Sequence, residues 1–209
     1  MFNMMGRNNP SAGCRVFSDK PKNFYKIDPI RVNFDAQHKV AIANGIASEK
    51  LVLTEIEKNL LNIKELIKDS EEYKNLFEAV AIPFCMEIPY IKEDIGTLLE
   101  DHWLPMLKKE YEKKVPGTYF KSNFQGEKKL KNLLTVSEKS GYEKFFECAK
   151  NSSIVGYYFP TAFQEFDIKS QRMRIGELPS VAGAKICLSG PFEIIYSLVC
   201  YPKLLFSKE

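Results

Sequence analysis

Histidine is nearly missing from this sequence of 209 residues, which contains only His38 and His102. A zinc centre built on several imidazoles is therefore excluded. The loops that mark common nucleotide-binding and hydrolytic enzymes are missing as well, including G-x-x-x-x-G-K-S/T, G-x-G-x-x-G, H-E-x-x-H and G-x-S-x-G, and so is an EF-hand loop. The sequence thus predicts neither a metal nor a cofactor, and it leaves open whether the protein is an enzyme.

Cysteine is sparse and irregularly placed. The five cysteines are scattered, and no two of them are spaced as C-x-x-C. An odd number without regular spacing is not typical of a secreted disulfide framework, so we expect reduced thiols and a cytoplasmic location. Four of them lie among apolar neighbours, which predicts small buried side chains rather than nucleophiles: Cys85, Cys148, Cys187 and Cys200.

A long uninterrupted apolar run is also missing. The first ten residues lack the apolar centre of a secretion signal. The longest apolar stretch, residues 186–206, is broken by Pro191, Glu193, Pro202 and Lys203. Prolines and charges disfavour a membrane span, so the sequence predicts a soluble protein.

Neither sign of charge is in large excess, since 30 basic and 27 acidic residues give a formal net charge of +3. This balance, with glutamates between the lysines, argues against nucleic acid as a partner. Only five basic residues are arginine, the side chain suited to two-pronged contacts with phosphate or carboxylate. The excess of lysine also suggests an AT-rich, microbial genome.

Residues 1–22 contain few apolar anchors and predict a flexible N-terminal arm. Residues 23–209 are long and apolar enough to form a single α/β domain. At the start of that domain, alternating apolar and polar residues predict strands at 24–27 and 30–34. Asn44-Gly45, which lies between two apolar runs, predicts a β-hairpin.

The rest of the chain predicts helices that alternate with short extended segments. Thr54 begins a capping box, and apolar residues at helical spacing follow it to residue 69. Pro105 is expected to kink a long helix over 92–114. The other predicted elements are helices at 70–80, 126–136, 138–150, 168–178 and 192–199, and extended segments at 81–90, 118–120, 154–159 and 184–188. This order favours a mixed α/β fold, either α+β or three-layer α/β.

Ser189 and Gly190 form the first candidate site, because they follow an apolar segment and begin a helix. Gly190 at the N-cap, Pro191 at the first position and Glu193 at the third are typical of a helix start. Free N–H groups and the helix dipole at such a start can bind an anion, so both residues are candidate ligand-binding residues. The alternative is that Glu193 itself occupies the place of the anion.

A second candidate site lies in residues 157–178, where side chains capable of specific hydrogen bonds are dense. Arg172 and Arg174 are candidate ligand-binding residues, and Glu165 and Asp167 are candidate acid–base catalysts. In the structural alternative, Asp167 caps a helix and the arginines form ion pairs. If 168–178 is helical, the two arginines point about 200° apart and cannot hold one ligand together.

His102 is the third candidate, as a catalytic residue. It follows Asp101 near Pro105, and a carboxylate beside a helix kink can tune the pKa of a histidine for proton transfer. The alternative is structural, since a bend exposes backbone carbonyls that a histidine can bind.

These observations favour a non-enzymatic binding or protein-interaction protein with an unknown protein partner. The alternative is a small α/β enzyme or ligand binder that acts on an anionic small molecule. In that alternative Gly190 and Arg172 or Arg174 hold the anion, and Glu165 or Asp167 transfers protons. It requires that these side chains converge on one pocket.

Overall fold

The computed structural model describes residues 1–17, 32–117, 120–121 and 130–204. Over these ranges the fold is a mixture of helices and one small sheet, and helices dominate. A π-helical turn, Leu99–Trp103, joins the third helix to the fourth, and 3₁₀ turns occupy Leu76–Glu78 and Pro202–Leu204. The described helices are all too short or too polar to traverse a bilayer. The α-helices and strands are, in order, α1 Phe34–Ala43, α2 Leu53–Lys68, β1 Ile82–Met86, α3 Ile95–Leu98, α4 Leu104–Lys114, α5 Tyr142–Ala149, β2 Ile154–Tyr158, α6 Ile168–Glu177 and α7 Pro191–Cys200.

Strands β1 and β2 pair antiparallel, with Ile82 opposite Tyr158 and Met86 opposite Ile154. All five residues of β1 are buried. The Phe84 ring lies over Gly156 in β2, where an added Cβ atom would be 3.0 Å from the ring. The extended segments predicted at 81–90 and 154–159 are therefore confirmed over 82–86 and 154–158, whereas residues 89–90 form a turn.

Helix α7 lies at the centre of the largest hydrophobic core. Phe192 packs edge-on against Trp103 with ring centroids 4.9 Å apart, and Tyr196 packs against Phe84 at 6.2 Å. All four side chains are buried in this core. Because large aromatic side chains supply much of the apolar area that stabilises a core, the position of α7 is firmly set.

The kink predicted at Pro105 takes the form of the π-helical turn. Proline lacks an N–H, and its ring clashes with the carbonyl four residues earlier, so a wider turn before it relieves the clash. The turn places Glu100 where its carboxylate accepts a hydrogen bond from Leu130 N at 2.9 Å. Gly96 permits this approach, since a Cβ atom there would overlap the carbonyl of Leu130.

The β-hairpin predicted at Asn44-Gly45 is not formed, because residues 39–43 lie in α1. Asn33 caps this helix, with its Oδ1 atom accepting a hydrogen bond from Ala36 N at 3.1 Å. Gly45 follows the end of the helix with φ of 69°. A positive φ at glycine is as typical of a helix end as of a hairpin, which is why the pattern was ambiguous.

Three further predictions of regular structure are wrong. Residues 70–80 form turns and a short 3₁₀ segment, and residues 130–136 and 184–188 are turns or irregular chain. Their apolar side chains still contact the cores, as Leu76 does, so apolar spacing alone did not identify the backbone. Helix α2 begins at Leu53, ahead of the predicted cap at Thr54.

Helices α2, α6 and α7 confirm the predictions at 54–69, 168–178 and 192–199, and α5 is shorter than the predicted 138–150. The strand predicted at 30–34 is wrong at its described end, because Asn33 caps α1 and Phe34 is the first residue of that helix. Other predicted elements fall outside the described residues, namely 24–27, 30–31, 118–119 and 126–129.

Residues 1–17 lie against two distant parts of the chain, one around Tyr73 and the other around Ala162. Phe2 is buried with Tyr73 and Ala162. Asn8 N donates a hydrogen bond to the carbonyl of Ala162 at 2.8 Å. The division into an arm at 1–22 and a domain at 23–209 stays a prediction.

Candidate functional site

Backbone hydrogen bonds join residues 1–17, here called the N-terminal segment, to the start of α6. Phe17 N donates to the carbonyl of Glu165 at 2.8 Å, and Asp167 N donates to the carbonyl of Arg15 at 3.2 Å. Arg15 N donates to Ser170 Oγ at 2.7 Å. The end of the segment is therefore fixed relative to the first turn of α6.

Two large apolar side chains are exposed at this junction, since Phe17 is 68% exposed and Ile168 is 66% exposed. The guanidinium carbon of Arg15 lies 5.8 Å from the centre of the Phe17 ring. Arg172 is exposed one helical turn after Ile168, on the same face of α6. We call these four residues, together with the exposed Lys169, the Phe17–Ile168 surface.

The Phe17–Ile168 surface is positively charged, because three of its five residues are cations. The adjacent carboxylate belongs to Asp167, which caps α6 by accepting a hydrogen bond from Ser170 N at 2.7 Å. That backbone hydrogen bond is the largest cause that lowers the pKa of Asp167, and Arg15 and Lys169 contribute to the same shift. Asp167 is thus held at the helix start, and the cations around it outnumber it.

Glu165, the other candidate acid–base residue, is in an uncommon conformation. Its φ is 74°, a left-handed value that residues other than glycine adopt rarely. Its Oε1 atom is buried without a hydrogen-bond partner among the described residues. Its carbonyl accepts the hydrogen bond from Phe17, so its backbone helps to hold the N-terminal segment.

Arg174 points away from Arg172 and is only 4% exposed. Its Nε atom donates to Asn8 Oδ1 at 2.7 Å, and its Nη1 atom donates to a carboxylate oxygen of Glu177. The same carboxylate accepts a hydrogen bond from Ser11 Oγ at 2.9 Å. This hydrogen bond and then Arg174 lower the pKa of Glu177. Arg174 therefore binds the N-terminal segment inside the protein.

At the start of α7, Glu193 occupies the place proposed for an anion. Its Oε2 atom accepts hydrogen bonds from Tyr142 Oη at 2.6 Å and from Gly190 N at 3.3 Å. A Cβ atom at Gly190 would overlap the Tyr142 ring, so the glycine is needed for this arrangement. Glu193 is 4% exposed. Burial raises its pKa to about 7.

The groups around Glu193 are weak acids held in their neutral forms. Burial, with the Glu193 carboxylate as a second cause, raises the pKa of Tyr142, of Tyr158 and of Cys187, the last to about 12. The neighbouring Ser189 side chain acts in the opposite direction and lowers the pKa of Tyr158. Ser189 and Gly190 thus lie against tyrosines, whereas Arg174 contacts Asn8 and Glu177. Chemically, Glu193 is a buried carboxyl that can exchange one proton near neutral pH.

His102 lies in the π-helical turn. Its Nε2 atom is 3.5 Å from Glu93 Oε2, and its ring stacks on Tyr90 with centroids 4.4 Å apart. These contacts hold the imidazole between an aromatic ring and a carboxylate, on a different element from Glu165 and Asp167.

Arg15, Phe17 and His38 are not among the candidate site residues that the sequence predicts. The first two lie within residues 1–22, which the sequence predicts to be a flexible arm, and no motif in that range marks them as part of a site. His38 is buried, both ring nitrogens lack a hydrogen-bond partner among the described residues, and burial lowers its pKa. It stacks on Phe34, which gives it a packing role.

Within the described ranges, no group of three or more metal-ligating side chains is arranged to hold an ion. Comparisons with protein-family models, curated proteins and solved structures find no match to this chain.

Proposed function

We propose that this chain is a protein-interaction protein that binds an acidic, amphipathic segment of a partner protein on the Phe17–Ile168 surface. The observation that carries the proposal is the exposure of two large apolar side chains, Phe17 and Ile168, among three cations. Complete burial of a side chain of this size contributes about 1.5–3 kcal/mol. Because about two-thirds of each side chain is still exposed, Phe17 and Ile168 can each contribute roughly two-thirds of that free energy when a partner covers them.

The charges of the surface favour carboxylates in the partner. Arg15 and Arg172 present planar guanidinium groups that match a carboxylate with two parallel hydrogen bonds, and Lys169 adds a third positive charge. Complementary charges also speed the encounter and discriminate against basic or neutral partners.

The backbone of the surface is already ordered before binding. Hydrogen bonds from Phe17 N to Glu165 and from Arg15 N to Ser170 fix one side, and α6 fixes the other. Binding therefore costs less conformational entropy than it would for a free loop.

The affinity for acidic peptides is expected to depend on both the apolar and the charged part of this surface. Fluorescence anisotropy with labelled peptides, in which Asp or Glu alternates with Leu or Phe, measures Kd. Phe17→Ala and Arg172→Ala should each raise Kd by about tenfold, since that corresponds to about 1.4 kcal/mol. Raising the salt concentration should weaken binding by the unmodified chain.

Leu61→Ala is the matched control, because Leu61 is 55% exposed on α2 and lies outside the surface. It should leave Kd unchanged. Equal binding of peptides with Asn and Gln in place of the acids, or an equal loss with Leu61→Ala, would contradict the proposal. Binding of citrate or inorganic phosphate that survives Phe17→Ala would instead favour a small anionic ligand.

A further inference from the structure

A small depression lies between the last turns of α1 and α4. Its volume is about 310 Å³, at the lower end of the range of small-molecule sites, which is about 300–1,000 Å³. Its lining includes the carboxylate of Glu110, the ammonium-bearing side chains of Lys109 and Lys113, and the apolar side chains of Val40 and Ala43. Neither the N-terminal segment nor α6 contributes to it, so it is separate from the Phe17–Ile168 surface.

Glu110 is the buried carboxylate of this depression. Its side chain is 5% exposed, yet its Oε2 atom has no hydrogen-bond partner among the described residues. Lys113 Nζ lies 3.7 Å from Glu110 Oε1, which makes an ion pair but is too long for a hydrogen bond. Buried polar groups ordinarily form hydrogen bonds, because burial removes them from water. Glu110 can therefore accept hydrogen bonds from a ligand.

Lys113 shows the direction from which a ligand reaches Glu110. Its side chain is 66% exposed and lines the same depression, and its ammonium group faces Glu110 Oε1. Lysine is a flexible side chain, so a ligand can enter beside it without a change in the backbone of α4.

The charges around the depression favour a ligand with one positive and one negative group. A simple cation would be repelled by Lys109 and Lys113, whereas a simple anion would leave Glu110 without a hydrogen bond. The third lysine of the lining, Lys39, is paired with Asp35 at 2.7 Å. The C-terminal end of α1 borders the depression as well, and its dipole favours a positive group there.

The Glu110–Lys113 pair matches the dimensions of an α-amino acid head group. Glu110 Oε1 and Lys113 Nζ are 3.7 Å apart, and an α-amino acid carries its ammonium and carboxylate groups on one carbon atom. Placed against this pair, the ligand ammonium donates to Glu110 and the ligand carboxylate accepts from Lys113, so that two charge-assisted hydrogen bonds form. Val40 and Ala43 then contact an aliphatic side chain.

The depression beside α5 differs in that its charged groups are all on the surface. It is larger, at about 510 Å³, but its carboxylates and ammonium groups belong to side chains that are exposed to water: Glu143, Lys144, Glu147 and Lys185. Cys148, which also lines it, is half-buried, so the prediction that this residue is a buried small hydrophobe is wrong. A buried carboxylate that needs a partner is thus a feature of the α1–α4 depression.

We propose that the depression between α1 and α4 binds a free aliphatic α-amino acid. Glu110 holds the ammonium group, Lys113 holds the carboxylate with Lys109 as a second positive charge, and Val40 and Ala43 contact the side chain. A ligand that fits all three requirements is small, zwitterionic and apolar at one end.

An NMR titration of the full chain with L-valine tests the proposal and measures Kd. Isobutylamine and 3-methylbutanoate are the matched probes, since the first lacks the carboxylate of valine and the second lacks its ammonium group. L-Valine is expected to shift signals at the end of α1 and in α4 and to reach saturation. Each analogue should bind about tenfold more weakly or worse, because one of the two ion pairs is lost.

Glu110→Gln and Lys113→Ala should each raise Kd for L-valine by about tenfold. Lys113 is exposed, so its variant keeps the test decisive if Glu110→Gln fails to fold. Glu112→Gln is the matched control, because Glu112 lies on the same helix and is paired with Lys108 at 3.9 Å, and it should leave Kd unchanged.

Three results would overturn the proposal. The first is the absence of a saturable shift up to about 10 mM L-valine, since binding weaker than that is not specific. The second is an equal affinity for either analogue, which would mean that only one charge is recognised. The third is an equal rise in Kd with Glu112→Gln, which would mean that the charge of α4 as a whole, rather than the buried carboxylate, attracts the ligand.

Discussion

Replacing Arg174 with alanine is expected to lower the free energy of unfolding by about 3 kcal/mol and to release residues 1–17 from α6. The guanidinium is buried, and it donates to Asn8 Oδ1 at 2.7 Å. Asn8 Nδ2 has no hydrogen-bond partner among the described residues, so the substitution would leave a whole buried amide unpaired. Urea unfolding measures the loss of stability. Limited trypsin digestion measures the release, because the backbone of Arg15, which hydrogen bonds to Ser170 and Asp167 hold in place, becomes free to enter the protease.

Arg172→Ala is the control for this prediction, because Arg172 lies on the same helix and is exposed. Its effect on stability should stay within about 0.5 kcal/mol. Since Arg15 and Phe17 belong to the segment that Arg174 holds, Arg174→Ala should also abolish binding of acidic peptides. Equal destabilisation by both variants, or resistance to trypsin in Arg174→Ala, would show that Arg174 does not hold the segment.

Because of Glu193, the free energy of unfolding is expected to decrease as the pH rises from about 4.5 to about 7. Burial raises its pKa from 4.5 to about 7 in the folded chain. Between these values the folded chain keeps the carboxyl proton and the unfolded chain has released it, so deprotonation favours unfolding. The full decrease in the free energy of unfolding is about 3 kcal/mol, and it is reached above pH 7.

Urea unfolding of the unmodified chain and of Glu193→Gln, at pH 5 and pH 8, isolates this contribution. Glutamine keeps an oxygen that can accept the hydrogen bond from Tyr142, but it does not ionise. Burial lowers the pKa of His38, which favours stability at higher pH, and this opposite trend is common to both chains and cancels. Between these two pH values the unmodified chain should lose about 2.5 kcal/mol relative to the variant, because part of the full difference is already lost at pH 5. An identical pH dependence in the two chains would mean that the carboxyl is hydrated in solution.

Helices α6 and α7 could be predicted from the sequence because their start signals are local. Asp167 accepts a hydrogen bond from Ser170 N, three residues later, and Gly190, Pro191 and Glu193 occupy the first positions of α7. Capping depends on neighbouring residues, so the sequence contains the information directly.

Strand pairing and the predicted N-terminal hairpin, which is not formed, show that local sequence signals do not determine every part of the fold. Ile82 pairs with Tyr158 across more than seventy residues of chain, and no local pattern specifies such a partner. Asn44-Gly45 satisfies the backbone requirements of both a hairpin and a helix end, and the packing of α1 decides between them.

The candidate site was predictable only in part. Helical geometry separated Arg172 from Arg174, but which of them is buried depends on where residues 1–17 lie. Because that segment contributes Asn8 and Ser11 to the surroundings of Arg174, its position is a tertiary property. The same position creates the Phe17–Ile168 surface, which sequence patterns within α6 could not reveal.

The hydrogen bonds between residues 1–17 and α6 also determine the order in which a growing chain can fold. During synthesis, Phe2 and Phe17 leave the ribosome long before α6, which ends at Glu177. Joining segments so far apart requires closure of a loop of about 150 residues, with an entropy cost that delays this contact relative to local helix formation. Residues 1–17, which are made before α6, are thus among the last to reach their final positions. A nascent chain that stops before α6 exposes the Phe2 side chain, which is buried in the folded protein, to chaperones and proteases.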